Sequence, residues 1–200
     1  MTKIKLCGLT RPCDIQTANQ VLPEYIGFVF AAKSKRCITP NEAANLKRRL
    51  HPFIQAVGVF VQEKTETIAE LLNTETIDLA QLHGGEDENY IHRLRRLTDK
   101  PLIQAFRIET KQDMAAARAS TADYVLLDSG PGGTGTTFDW TLLTHIDRPY
   151  FLAGGLYPGN VQSAVEALQP YAVDVSSGIE TAGKKDPEKM AAFVHAVREK

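Results

Sequence analysis

Lys3-Ile4-Lys5-Leu6-Cys7-Gly8-Leu9-Thr10 reads as a short strand that delivers a cysteine at its end and then breaks at glycine. Seven further apolar, β-branched or aromatic runs follow, at about residues 25–30, 54–60, 77–81, 101–106, 123–128, 149–153 and 172–176, with starts 22 to 29 residues apart. The gaps hold helical patterns such as Ile68-Ala69-Glu70-Leu71-Leu72 and Val161-Gln162-Ser163-Ala164-Val165-Glu166-Ala167-Leu168. Strands and helices alternating at this spacing predict right-handed βαβ units on a parallel sheet. Helix starts can be placed independently. Thr39-Pro40-Asn41-Glu42 has a capping threonine, a proline at the first helical position and a glutamate three residues after the cap. Asp186-Pro187 repeats the device before a last helix around Met190-Ala191-Ala192-Phe193-Val194. Gly27, Gly58 and Pro101 are expected near strand starts. Eight such units fit one closed α/β barrel, the (βα)8 or TIM form, as a single domain over residues 1–200. An open doubly wound sheet is the alternative. Its Rossmann version needs G-x-G-x-x-G in the first turn, which Cys7-Gly8-Leu9-Thr10-Arg11-Pro12 lacks, so the barrel is preferred.

Composition narrows the function. Hydrophobic residues make up 43% and charged ones 24%, as in ordinary globular chains, and a net charge of −1 offers no general attraction to nucleic acid or anionic membrane. No apolar run is long enough for a bilayer, and polar Thr2, Lys3 and Lys5 stand where a secretory signal would be apolar. Three cysteines, Cys7, Cys13 and Cys37, lack CxxC spacing, which argues against a disulfide framework and a zinc cluster. The expectation is a reduced, cytoplasmic protein.

In a barrel, function collects where strands end. Those positions are Cys7, Lys33 to Arg36, Gln81 with His83, Arg107, Asp128, Gly154-Gly155 and Ser176-Ser177-Gly178. A thiol at the first strand end can reach a ligand, whereas one inside a strand is a small buried hydrophobe. The two small-residue turns on neighbouring strands suit a phosphate, although glycines also serve simply to make tight turns. Within Lys33-Ser34-Lys35-Arg36 an arginine could swing over the mouth and fork onto a carboxylate; otherwise the run is solvated surface. His83 is the only histidine at a strand end. It has no partner ligands for a metal, so no metal site is expected, and it is either a structural residue or a hydrogen-bond partner of the ligand. Asp128 is a candidate acid or a loop brace, and Gly130-Pro131-Gly132-Gly133-Thr134-Gly135 after it could act as a lid. Phe138-Asp139-Trp140 is expected to open the next helix.

Six motifs then resemble one family in order over nearly the whole chain. They are Leu6-Cys7-Gly8-Leu9-Thr10; Gly27-Phe28-Val29-Phe30 with Ser34-Lys35-Arg36; Gln81-Leu82-His83-Gly84; Leu127-Asp128 with Gly132-Gly133-Thr134-Gly135 and Phe138-Asp139-Trp140; Gly154-Gly155-Leu156 with Asn160-Val161; and Val173-Asp174-Val175-Ser176-Ser177-Gly178-Ile179-Glu180 with Gly183-Lys184-Lys185-Asp186. The resemblance is to phosphoribosylanthranilate isomerase of tryptophan biosynthesis. It implies an Amadori rearrangement without a cofactor, with Cys7 as general base and Asp128 as general acid. Arg36 would take the anthranilate carboxylate, and Gly154, Gly155, Ser176 and Ser177 would hold the phosphate. The partner would be a small phosphosugar, with no nucleic acid or membrane, and the chain a monomer or homodimer. The chemistry makes two demands. The acid must hold a proton although a free aspartate, near 3.9, is ionised at pH 7. The thiol, ordinarily near 8.5, must be lowered or act at low occupancy. The histidine-pathway Amadori isomerase uses an aspartate where Cys7 stands and has a half-barrel repeat absent here. A silent phosphate-binding barrel would not need both Cys7 and Asp128.

Overall fold

The eight apolar runs form one closed ring of parallel strands: β1 (Lys3–Cys7), β2 (Tyr25–Val29), β3 (Gln55–Phe60), β4 (Leu79–Leu82), β5 (Leu102–Arg107), β6 (Tyr124–Asp128), β7 (Tyr150–Ala153) and β8 (Ala172–Val175). They follow chain order, and β8 closes on β1 with Lys5 opposite Asp174. Around them lie α1 (Pro12–Val21), α2 (Pro40–Lys47), α3 (Thr65–Asn73), α4 (Glu88–Arg95), α5 (Lys111–Ala119), α6 (Val161–Leu168) and α7 (Pro187–Arg198). The computed structural model describes residues 1–128 and 146–199. The glycine run 130–135 and the helix start at Phe138-Asp139-Trp140 lie outside the described residues. None of the described helices is long and apolar enough to cross a membrane.

Both faces of every strand are covered, so alternation along them separates two cores rather than core from solvent. Inward positions include Tyr25, Val57, Leu79, Ile103, Leu126, Phe151 and Ala172, which fill the barrel. Outward positions such as Ile4, Leu6, Ile26, Phe28, Phe60 and Val173 pack under the helices in a second, larger core. Gly27 and Gly58 lie inside β2 and β3, not at their starts as expected. The reason is space. A Cβ on Gly27 would come 2.7 Å from Cys7 Sγ, and one on Gly58 would come 2.6 Å from Ile77 Cδ1.

The helix-start signals act as read. Thr39 Oγ1 accepts from the Glu42 amide while the Glu42 carboxylate accepts from the Thr39 amide at 2.7 Å. Asp186 accepts from the amides of Glu188 and Lys189 at 3.0 and 3.2 Å. Acids just before even strands cap the preceding odd ones: Glu24 takes the Ile4 amide at 2.8 Å, Asp78 that of Ala56 at 2.7 Å and Asp123 that of Leu102 at 2.7 Å. After β8 a short 3-10 turn, Ser177–Ile179, leads into an antiparallel hairpin of β9 (Glu180–Thr181) and β10 (Lys184–Lys185). This hairpin has no counterpart among the expected elements.

Candidate active site

Cys7 ends β1 facing inward, buried between Val29 and Val59. Two residues earlier, hence on the same face, stands Lys5, fully buried, with Nζ 3.0 Å from Asp174 Oδ1. A lysine inside a barrel keeps its proton only with such a partner. Burial works against the Lys5 ammonium, but Asp174 and the Cys7 sulfur more than restore it, so its pKa lies above the ordinary value. For Cys7 the balance is reversed. Burial pushes the thiol pKa up, Lys5 pulls it down, Asp174 adds to the rise and Lys185 opposes it; the net is a raised value.

Arg36 does reach the mouth. Its stem crosses the end of β1 where a Cβ on Gly8 would overlap Arg36 Cδ, and Gly8 holds a φ of +81°, which glycine adopts freely. The guanidinium is bidentate to Glu180, Nε to Oε1 at 2.6 Å and Nη2 to Oε2 at 2.7 Å. Lys185 Nζ lies 2.5 Å from the same Glu180 Oε1 and donates to the Ser176 carbonyl at 2.8 Å. Burial alone would raise the Glu180 carboxyl, but these two cations outweigh it and hold it at about 2. Lys185 itself is lowered, burial outweighing the Glu180 contacts.

Across the mouth, Asp128 ends β6 and faces inward. Its Oδ2 lies 3.6 Å from His83 Nε2, and its buried Oδ1 has no hydrogen-bond partner among the described residues. His83 Nδ1 is 2.8 Å from Gln81 Nε2. With the Gln81 amide donating, Nδ1 accepts, and Nε2 is the ring nitrogen that faces Asp128. Gln81 Oε1 is also buried and unpartnered among the described residues. Gln81 is an inward residue of β4 rather than a loop residue after it.

The small-residue turns lie side by side. Gly154 and Gly155 have φ of +94° and +62°, and a Cβ on Gly155 would meet nothing within 4 Å. Ser176 Oγ is committed, donating to the Cys7 carbonyl at 3.2 Å. At Gly178 a side chain would run into the Leu156 carbonyl, so the turns after β7 and β8 approach as only glycine permits. Cys7, Arg36, His83, Asp128, Gly154, Gly155, Ser176 and Ser177 all line one cavity of about 340 Å³. That is room for a small-molecule ligand. Arg107, although at the end of β5, pairs instead with Glu109 at 2.7 Å. Among the described residues no group of three His, Cys, Asp or Glu side chains gathers as metal ligands.

Lys5, Asp174, Glu180 and Lys185 had no assigned role in the strand-end reading. A partial signal was present: Lys5 lies two residues before Cys7 and so on the same face of β1, and Asp174 is the one charge in the apolar strand β8.

Fold and cavity together define a (βα)8 barrel with a ligand-sized cavity at the carboxyl ends of its strands. The family model for N-(5'-phosphoribosyl)anthranilate isomerase matches residues 4–196. An isomerase of that name from Endomicrobium trichonymphae is 46% identical over 99% of both chains. The crystal structure of phosphoribosyl anthranilate isomerase from Thermotoga maritima superposes with a TM-score of 0.91 at 36% identity, over 99% of each chain. A structure of such an isomerase in complex with reduced 1-(o-carboxyphenylamino)-1-deoxyribulose 5-phosphate gives 0.88 at 35% identity, again over 99% of each. The chain belongs to the N-(5'-phosphoribosyl)anthranilate isomerase family.

Proposed function

We infer that the chain performs its family's reaction in tryptophan biosynthesis, the Amadori rearrangement of N-(5'-phosphoribosyl)anthranilate to 1-(2-carboxyphenylamino)-1-deoxyribulose 5-phosphate, with Asp128 as acid and Cys7 as base. Asp128 gives its proton to the ring oxygen; the bond from that oxygen to C1' breaks as the nitrogen lone pair forms a C1'=N iminium. The Cys7 thiolate then takes the proton from C2', and the released electron pair forms the C1'=C2' enamine while nitrogen regains its lone pair. Moving a proton from the 2'-hydroxyl to C1' completes the ketone. No redox or group-transfer cofactor enters these steps. Arg36 receives the aryl carboxylate, His83 orients beside the acid, and Gly154, Gly155, Ser176 and Ser177 cradle the phosphate. The observation that carries this reading is that a buried thiol and a carboxylate with one oxygen unpartnered among the described residues line one ligand-sized cavity.

The raised thiol has a cost. Each unit of pKa above the working pH lowers the thiolate fraction about tenfold. The Lys5 ammonium compensates by standing ready to neutralise the thiolate when it forms. The ligand is a small phosphosugar, residues 1–200 act as one catalytic domain, and the protein works in the cytoplasm as a monomer or homodimer. Purified protein mixed with fluorescent phosphoribosylanthranilate should quench its emission with turnover. Cys7→Ala should lose at least about 10²–10⁴-fold in rate while keeping its fold. Full activity in that variant would remove Cys7 from the mechanism.

A further inference from the structure

Arg36 is to bind a carboxylate of the ligand, yet it already holds a carboxylate of the protein. Glu180 takes Nε and one hydrogen of Nη2, the side edge of the fork. The end edge, Nη1 with the other Nη2 hydrogen, has no hydrogen-bond partner among the described residues. Glu180 is therefore either a rival that must leave or a brace that stays. Its surroundings decide. Its side chain is 9% exposed and is tied by the same Oε1 to Lys185 at 2.5 Å. Lys185 is anchored in turn, bonding the carbonyl and hydroxyl of Ser176 at 2.8 and 3.3 Å and accepting at its own carbonyl from Arg11 Nη2 at 2.6 Å. Ser176 closes the chain of bonds on the Cys7 carbonyl at 3.2 Å. From the other side the Arg36 stem is pressed over Gly8. Releasing Glu180 would strand the buried Lys185 without its counter-ion, which the low interior dielectric penalises heavily.

We propose that Glu180, braced by Lys185, is a positioning residue that aims the free edge of Arg36 into the cavity and so sets the preference for an aryl amine carrying an ortho carboxylate. A free arginine loses much rotamer freedom on binding an anion, whereas a fork already fixed loses little. The hairpin of β9 and β10 exists, on this view, to carry the brace. The idea rests on Arg36 as the carboxylate partner, and the test separates the two.

Steady-state kinetics are measured for the full chain and Glu180→Gln with phosphoribosylanthranilate and with carboxylate-free N-phosphoribosylaniline. KM for the first substrate should rise about tenfold with kcat within about threefold, and the preference between the two, as a ratio of kcat/KM, should fall about tenfold. The double variant Glu180→Gln/Arg36→Met should lose in total no more than Arg36→Met alone. Equal losses on both substrates, full additivity with Arg36→Met, or an unchanged KM would overturn the proposal while leaving Arg36 in place. If Arg36→Met by itself leaves the preference unaltered, the carboxylate role of Arg36 fails and the proposal with it. Should Glu180→Gln not fold, Glu180→Asp keeps the charge that Lys185 needs and withdraws it by one methylene. The same split between KM and kcat is then expected.

Discussion

Replacing Gly27 by alanine puts a methyl group against the thiol. The new Cβ would lie 2.7 Å from Cys7 Sγ, 3.1 Å from its Cα and 3.2 Å from its Cβ. Comfortable contact needs about 3.5–4.0 Å, so the sulfur must give way by about 1 Å. Val29 and Val59 pack beside it and limit where it can go. Overpacking of this kind costs about 1–3 kcal/mol of stability. The effect on rate is larger, since a reacting group displaced by about 1 Å can lose about 100-fold. Gly58→Ala is the control. It lies in the neighbouring strand but faces outward, where its Cβ would come 2.6 Å from Ile77 Cδ1 and 2.7 Å from the Phe60 ring. Thermal unfolding and kcat from substrate fluorescence, measured on both variants, should show similar losses of stability and a collapse of kcat in Gly27→Ala alone. If folded Gly27→Ala turns over within about threefold of the parent, the position assigned to the Cys7 sulfur is not the one that does the chemistry.

Asp128→Asn keeps the shape but cannot deliver an acidic proton, so kcat and kcat/KM should fall together while a product analogue binds almost as before; retained kcat with weakened binding would make Asp128 structural. Because the Cys7 thiol is pushed up, kcat/KM should still be climbing as pH rises past neutrality. Asp174→Asn, which removes a negative charge near the sulfur, should move that limb to lower pH, and Lys5→Met should move it to higher pH; a limb that neither shifts would show that another group is titrating. Glu180, held at about 2 against an ordinary 4.5, contributes stability that is complete above about pH 4.5 and is lost as pH falls through its folded value. Denaturant midpoints between pH 5 and 2 should accordingly drop more in the parent than in Glu180→Gln, and parallel curves would refute the assignment.

The barrel was readable because its strands are short, apolar and evenly spaced, and because Thr39 and Asp186 mark helix starts by local hydrogen bonds that need no tertiary context. The positions of Cys7 and Asp128 at strand ends, and of Arg36 in the loop after β2, were readable for a related reason: chain order sets them, and strand ends face one mouth. Gly27 and Gly58 were misplaced because a glycine inside a strand looks local, whereas its cause is a neighbour on another strand or helix, Cys7 in one case and Ile77 in the other. The roles of Lys5 and Asp174 were hidden for the opposite reason. Strands buried on both faces give no hydrophobic alternation, so only a known parity tells which charges look inward. The pairing of Arg36 with Glu180 joins residues 144 apart through a hairpin whose strands are two residues each, too short to carry a strand signal. The raised thiol likewise follows from depth in the barrel, which no local pattern records.

The mouth of the barrel is held by charge: Lys5 with Asp174 below, Arg36, Glu180 and Lys185 above. The helical shell outside it is held mainly by aliphatic and aromatic contact, with half-buried ion pairs such as Lys47 with Asp78 at its edge. These two kinds of cohesion respond differently to heat. Warming makes ion hydration less favourable, so the penalty for keeping such pairs out of water shrinks, while apolar burial gains little more per unit area. As temperature climbs, the charged mouth therefore becomes relatively the firmer part of the molecule. Thermal loosening should begin in the shell, and activity should persist until the barrel as a whole comes apart.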